Sequence, residues 1–410
     1  MQFQNIQKID PLTYTFRLSP IHVSYANTLR RLVITGVETV AFRADMTPTG
    51  TTSDVMIRQN DTPMTNEMLA HRIGLLPIHV KEPLKWNPDQ YVFQLKATSS
   101  KDSVVNVMAG DFKVMERNST LNELVDVDTA RFFPLHPITR DTCLIATLAP
   151  NENQVIDITA KATMGTGRDN ARFIPVSQCT YEYTRDSDPE KKKAYFQKWL
   201  LDAKKVMTDD LEEGSEKYKA YEREFNTMEV ARCYLRDDKG EPYSFDFTIE
   251  TLGILDVPYI VQRACEVGEA MVARYVSITT GELPNELTIS PADSRVVGFD
   301  FLFRGHDHTL GNLLQTWLVQ NHIEGTSQPR ITFAGYKVPH PLRDEMVLRV
   351  GVEDGEEASA RQAVAEACRG LVNMFRGLRE AWIRANGGVP PAQKAVGLQR
   401  RGPASSMPTK

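Results

Sequence analysis

The sequence predicts an α+β protein. Two copies of one dimerisation unit lie on a single chain, paired as an internal pseudo-dimer, with a β-rich domain inserted in the first copy. Three observations predict this. The stretch Ala26-Asn27-Thr28-Leu29-Arg30-Arg31-Leu32-Val33 returns far downstream as Gly311-Asn312-Leu313-Leu314-Gln315-Thr316-Trp317-Leu318. Both stretches read small residue, Asn, any residue, Leu, two polar residues, two apolar residues. Each lies in a matching series of strand, short helix, strands and long helix. Between the halves of the first copy, Tyr91 to Tyr183 carries short alternating strands separated by turns.

Taken in order, residues 3–19 alternate loosely, with Tyr14 to Leu18 as a strand signal. A short helix follows. Ser24 is its expected cap, with Asn27 at the third helical position. Ala26, Leu29, Val33 and Val37 fall at helical spacing and predict a buried stripe, off which lie Arg30 and Arg31. Val37 to Phe42 reads as a strand, and a Thr, Gly and Ser cluster follows at 47–53. A helix from Asn66 ends near Gly74 and Pro77. Strands are expected at Tyr91–Leu95, Val104–Val107, Cys143–Leu148, Gln154–Ala162 and Cys179–Tyr183. A charged helical stretch spans 189–225. Its lysine run is read as a solvated face rather than a nucleic-acid patch. Phe245 to Leu255 is a strand, and Val257 to Tyr275 a long helix with one apolar seam.

Residues 279–295 read as a linker of turn residues. At 3.3–3.6 Å per residue it spans at most ~60 Å, ample for joining two facing units. Val296 to Phe303 is the next strand. In the echo helix, Leu310, Leu313, Leu314, Trp317 and Leu318 fit the i, i+3, i+4, i+7, i+8 pattern. Burying such side chains is worth roughly 1.5–3 kcal/mol each as an upper bound, so this helix needs a partner, and the expected partner is the first copy. Strands at Ile331–Tyr336 and Met346–Val352 precede a last helix with Val364, Leu371 and Phe375 on its seam. Ala264-Cys265 in the first long helix corresponds to Ala367-Cys368 in the last. The Gly, Pro and Ser-rich tail from 386 to 410 reads as disordered. The expected organisation is therefore 1–46 with 226–278 as the first unit, 47–188 inserted, 189–225 the charged segment, 279–295 the linker, 296–385 the second unit and 386–410 the tail.

The chain has 410 residues, 41% hydrophobic and 25% charged, with a formal net charge of −5. That balance argues against a chain that wraps nucleic acid by itself. No apolar run approaches the roughly 18 residues a membrane span needs, and Met1 to Asp10 lacks the features of a signal peptide. Five scattered cysteines without a CxxC fit a reducing intracellular compartment and give neither a disulfide framework nor a zinc site.

These residues resemble a known family. Ala26 to Arg31, followed by Asn66-Glu67-Met68-Leu69-Ala70-His71-Arg72-Ile73-Gly74-Leu75-Leu76-Pro77-Ile78, is similar to the alpha-type assembly subunits of multisubunit DNA-directed RNA polymerases. These are bacterial alpha, its archaeal D-type counterpart and the third-largest subunit of nuclear polymerase II. Gly165-Thr166-Gly167-Arg168 ahead of Phe173-Ile174-Pro175 resembles the family's glycine turn, and Phe247 to Gly253 its strand before the final helix. Gly305 to Leu314, with Ala334-Gly335-Tyr336-Lys337-Val338-Pro339-His340-Pro341-Leu342, resembles the smaller partner, the archaeal L-type chain or the eleventh subunit of polymerase II. Both parts on one chain look like the fused subunit of large cytoplasmic DNA viruses. That likeness implies host cytoplasm, with packaging in the virion left open.

The resemblance implies a non-catalytic scaffold. Its partners would be the largest and second-largest polymerase subunits and small assembly subunits. It would meet DNA only through the complex, without a membrane and without homodimerising. Asn27, Arg30 and Arg31 are the first candidates for large-subunit contacts, with His71, Arg72, Gly167, Arg168 and Arg172 as secondary ones. Two guanidiniums can fork to a partner's carboxylates or carbonyls. No cofactor or metal is expected: the cysteine cluster that many third-subunit relatives carry is missing, and His306-x-His308 has no further ligand nearby. The glycine turn lacks the GxxxxGK[ST] spacing of a phosphate loop. No nucleophile–base pair or carboxylate cluster is evident. Two other readings remain: a free-standing regulator that mimics an alpha dimer and sequesters polymerase subunits, and an enzyme using the glycine turn.

Overall fold

A computed structural model describes residues 1–47, 54–117, 123–150, 152–206, 212, 214–279, 281–293 and 295–388. Residues 48–53 of the Thr, Gly and Ser cluster and the tail from 389 onward lie outside the described residues. The first half opens with β1 (Gln2–Lys8), β2 (Thr13–Ser19), α1 (Val23–Thr35) and β3 (Glu38–Phe42). The insertion carries β4 (Val55–Asn60), α2 (Asn66–Gly74), β5 (Tyr91–Thr98), β6 (Val105–Met108), β7 (Lys113–Arg117), β8 (Leu124–Val127), β9 (Leu144–Leu148), β10 (Val155–Ala160) and β11 (Ala162–Thr166). Then come β12 (Val176–Tyr183), α3 (Pro189–Trp199), α4 (Glu216–Glu224), β13 (Phe245–Thr251) and α5 (Val257–Ala273). The second half runs β14 (Leu287–Pro291), β15 (Gly298–Arg304), α6 (His308–Leu318), β16 (Phe333–Lys337), β17 (Glu345–Gly351) and α7 (Glu357–Ala385).

Two four-stranded antiparallel sheets have the same plan. The first is ordered β1-β2-β13-β12, the second β14-β15-β17-β16. In chain order, strand for strand and helix for helix, α1 corresponds to α6, α5 to α7 and β12 to β16. Each sheet has one apolar face, because its strands alternate. In β13, Phe245, Phe247, Ile249 and Thr251 are buried while Asp246, Thr248 and Glu250 are half-buried. That face needs a cover, and the helices supply it.

The two halves share one hydrophobic core. Trp382 of α7 reaches the first sheet, with ring centroids 4.9 Å from Phe3 and 5.1 Å from Phe16. Its indole N–H donates to Pro258 C=O at 2.9 Å. In the reverse direction, Tyr275, just past α5, meets Phe303 of the second sheet at 4.9 Å. The helix α7 and the turn just past α5 thus each cover part of the other half's sheet. Where α5 and α7 cross, Gly268 lies under Phe375: a Cβ there would sit 2.6 Å from the Phe375 ring. Glu269 of α5 receives Arg376 at 2.8 Å and Arg379 at 3.3 Å from α7. Ala264, Cys265, Ala367 and Cys368 are all fully buried.

The insertion has a separate core, with Phe93, Phe112 and Phe132 fully buried among five strands ordered β4-β10-β5-β7-β8 and the pair β6-β9. Several expectations change here. β12, placed in the insertion by its turn-rich surroundings, completes the first unit's sheet through β13. β3, placed in the first unit, pairs with β11 and sends Phe42 against Phe93 at 5.1 Å in the inserted core. The expected linker contains β14, which pairs with β15. Pro284 and Asn285 mark its start as a turn, but Leu287-Thr288-Ile289 alternates and supplies the strand that mirrors β1. Ser24 does not cap α1. His22 does, its ring nitrogen accepting from the Ser24 N–H at 3.2 Å. α1 ends at Thr35, so Val37 is buried in the following turn rather than on the helix. The helix from Asn66 stops at Gly74, and the strand from Phe245 stops at Thr251.

Gly268→Ala forces a methyl group into the buried Phe375 ring. Overpacking of this kind costs about 1–3 kcal/mol. Chemical denaturation of the variant is expected to show that loss; an unchanged midpoint would show that the α5–α7 contact yields freely.

Candidate functional site

The helices α1 and α6 cross at the centre of the pairing. Ala26, Leu29 and Val33 of α1 are buried, as are Leu310, Leu313, Leu314 and Leu318 of α6. Trp317 is half-buried, packed over Gly370 of α7 and 6.1 Å from the Tyr25 ring. Val364, Leu371 and Phe375 of α7 are fully buried. Ser24 is a polar hub in this apolar crossing. Its hydroxyl meets Thr316 Oγ1 at 3.0 Å and accepts from Asn312 Nδ2 at 3.2 Å. Tyr25 Oη donates to Gln320 Oε1 at 2.8 Å. Such bonds satisfy groups that burial would otherwise leave costly.

Arg31 belongs to the same crossing. The sequence sets it on the outward face, but its Nε donates to Thr309 Oγ1 at 2.8 Å and Nη2 reaches Asp307 at 3.3 Å. In the aligned motifs Arg31 stands opposite Thr316, and Thr309 opposite Ser24. The Arg31–Thr309 and Thr316–Ser24 bonds are therefore the same contact made twice, as an isologous pairing requires. Asp307 also caps α6 through the Thr309 N–H at 2.7 Å. Burial alone would raise the Asp307 carboxyl, but the hydrogen bonds from Thr309 and the nearby Arg31 and Arg168 outweigh it and hold it below its ordinary value.

The secondary candidates are also drawn inward. Arg168 pairs with Asp344 of the second half at 2.5 Å. Gly167 is packed so that a Cβ would lie 2.3 Å from Ile34 C=O. Arg172, its side chain only 6% exposed, donates to Phe42 C=O and pairs with Asp45, both at 3.0 Å. Arg72 donates to the Leu144 and Ile145 carbonyls at 2.9 and 2.8 Å. His71 is exposed on α2. The glycine turn is thus a structural clamp between the insertion and the two halves.

Arg30 differs. It is half-buried, and its Nε donates to Asn27 Oδ1 at 3.0 Å. It lines an open cavity of about 500 Å³ with Cys179, Thr180, Tyr181, Glu182 and Tyr183 along the edge of β12. Burial pushes the Cys179 thiol up to about 12 against the opposing field of Arg30, so no thiolate nucleophile forms there. Sequence reasoning picked out Arg30 but missed this strand edge, since pairing partners are not legible from one strand. It weighed His306 only with His308 as a metal ligand and missed its burial: the residue is 8% exposed and its ring meets Tyr275 Oη at 2.8 Å. Burial, aided by Arg168 and Arg274, lowers His306 from 6.5 to about 4.

Comparison with known proteins accords with this geometry. Residues 15–270 match the RNA polymerase Rpb3/Rpb11 dimerisation domain, and residues 299–381 match a second domain of the same description. The chain is 28% identical over 286 residues to the DNA-directed RNA polymerase subunit Rpo3 of Methanopyrus kandleri, covering 65% of this chain and 91% of that subunit. It is 28% identical over 202 residues to the human DNA-directed RNA polymerases I and III subunit RPAC1, covering 44% of this chain and 54% of that subunit. Over 78 residues it is 36% identical to the DNA-directed RNA polymerase II subunit RPB11 of Schizosaccharomyces pombe, covering 19% of this chain and 56% of that subunit.

Two outcomes are expected of the crossing. A double-mutant cycle on Arg31→Ala and Asp307→Asn should give a coupling of about 0.5–1 kcal/mol, the range of partly exposed pairs; zero coupling would make the pair incidental. His306 is neutral when folded and protonates more readily when unfolded. Its contribution is complete above pH 6.5 and is lost as pH falls toward 4. The stability difference between the wild type and His306→Gln should change across that window, and a difference independent of pH would exclude the linkage.

Proposed function

This chain belongs to the RNA polymerase Rpb3/Rpb11 dimerisation domain family, and from that membership we propose that it is a non-catalytic assembly subunit of a DNA-directed RNA polymerase. It carries both partners of the pairing in one polypeptide and docks the two largest subunits. The observation that carries this reading is the built interface between the halves: buried Leu314 and Phe375, the Ser24 hub and the Arg31–Asp307 pair.

The mechanism is assembly rather than chemistry. Two separate partners must find one another before they present a composite surface. Here the tether holds one half at about millimolar effective concentration for the other. A rigid, pre-paired platform then lowers the entropic cost of gathering the large subunits. The large-subunit contacts fall to the groups still directed outward, Arg30, Asn27 and His71, while Arg31, Arg168, Arg172 and Arg72 hold the platform's shape. The fusion of the two parts supports a source among large cytoplasmic DNA viruses, and the scattered cysteines suit a reducing compartment.

Affinity purification of the full chain from its source is expected to bring down two very large polymerase subunits in equal amounts, read by mass spectrometry. Recovery of the chain alone as a stable monomer would overturn the assembly role and favour the sequestering regulator.

A further inference from the structure

The two pseudo-symmetric sheets end in four edge strands, and three of them are guarded. β1 is broken by an irregularity between Gln4 and Gln7, with Asn5 at φ 51°. β14 ends in Pro291. β16 carries Lys337, and Gln315 of α6 accepts its Tyr336 N–H at 3.1 Å. Bulges, prolines, lysines and covering side chains are the usual means of blunting an edge. β12 has neither proline nor lysine in Val176–Tyr183, and its irregularity is confined to the Val176 end.

The direction of its backbone groups follows from the ladder. The Thr184 N–H donates to Ser244 C=O at 3.0 Å, so its N–H points toward β13's side. Antiparallel strands alternate inward and outward groups. Gln178, Thr180 and Glu182 therefore bond β13, and Cys179, Tyr181 and Tyr183 point their N–H and C=O groups away from it. The Thr251 N–H bond to Leu12 C=O on the opposite side of β13 gives the same parity. Among the described residues no hydrogen bond reaches the outward N–H groups of Cys179, Tyr181 or Tyr183.

One matched position bears on this difference between the two edges. Arg30 occupies the position in α1 that Gln315 occupies in α6. A glutamine has a carbonyl oxygen and closes its own sheet edge. An arginine has five donors and no acceptor, so it cannot take an N–H of β12 as Gln315 takes that of Tyr336, and among the described residues its hydrogen bond goes to Asn27 rather than to the carbonyls of that strand. It leaves a cation beside a row of unpaired backbone groups in the 500 Å³ cavity. The neighbouring Glu182 lies 3.9 Å from Arg185, and Arg30 forms no ion pair among the described residues.

We propose that β12 accepts an extended segment of another polymerase subunit as a fifth strand, with a carboxylate side chain of that segment against Arg30. This rests on the assembly reading above and gives it a mode: main-chain bonds supply affinity, and the Arg30–carboxylate pair supplies register. Gln315 keeps the second half from taking the same strand, so an internally symmetric platform binds its partner in one orientation.

The test uses the full chain, alone and within its purified polymerase complex, by hydrogen–deuterium exchange with cross-linking at β12. The amides of Cys179, Tyr181 and Tyr183 are expected to exchange at least about tenfold more slowly in the complex. The cross-linked segment should carry Asp or Glu beside Arg30. Arg30→Gln, which installs the residue of the other half, should weaken complex formation about tenfold, and Arg30→Lys should restore most of it, with the thermal midpoint of both variants near that of the wild type. A complex that forms with unchanged exchange along β12 would overturn the strand addition and leave the assembly role standing. Protection that disappears on nuclease treatment would assign the edge to nucleic acid and overturn it too. A chain that recovers no polymerase subunits would remove the assembly reading and this occupant together.

Discussion

Each sheet in this protein has an apolar face that its own half covers incompletely, and that constraint governs the rest of the structure. Trp382 is the clearest case. It is carried by the last helix yet lies against Phe3 and Phe16, at the other end of the sequence. Tyr275 does the reverse against Phe303. Neither half has a complete core without the other, which is why one buried cluster runs from Phe3 to Trp382. Removing the pairing would expose several aromatic rings at once, and apolar burial on that scale dominates folding. The polar bonds of Ser24, Thr316, Asn312 and Tyr25 add little net energy by comparison. Their role is register: they are satisfied in one crossing of α1 and α6, and a shifted crossing would bury them unpaired.

Quasi-equivalence lets the two halves be read against one another. Where they agree, the shared geometry is set by pairing. The Arg31–Thr309 and Thr316–Ser24 bonds occupy the same place twice. Where they differ, pairing does not require the difference. Gln315 closes β16, while Arg30 in the matching position leaves β12 open. His22 caps α1 and Asp307 caps α6, and the carboxylate of Asp307 also receives Arg31. The second half is the more sealed of the two, and the first carries the insertion and the open edge. The division assigns pairing to both halves and outward contact chiefly to the first.

Much of this was legible in the sequence because it rests on local periodicity. The echo of Asn27 in Asn312, the apolar stripes and the Ala264-Cys265 and Ala367-Cys368 pairs mark the two units and their long helices. What could not be read depends on distant partners. β12 looks like one more strand of the insertion until β13 pairs with it, and β3 like part of the first unit until β11 takes it away. Arg31 lies off the apolar stripe of its own helix, and nothing local shows that Asp307 and Thr309 approach it from the other half. β14 hides among turn residues because a strand of five residues gives only a few alternations. His22 rather than Ser24 is the cap because the helix begins at Val23, which places Ser24 inside it with its hydroxyl turned to Thr316 and Asn312.

That β14 is a strand changes what the connection between the halves does. A loose linker would contribute only proximity, through the effective concentration it sets. Here the connection is hydrogen-bonded to β15 along Leu287–Pro291 and mirrors β1 at the opposite end of the pseudo-dimer. It fixes where the second sheet begins relative to the end of α5, where Tyr275 already contacts Phe303 and His306. The covalent link and the non-covalent pairing therefore specify the same arrangement. A chain built this way has no need to select its partner from solution. The selection that remains lies at its outer edges, and there one guanidinium in place of one amide separates the open edge from the closed one.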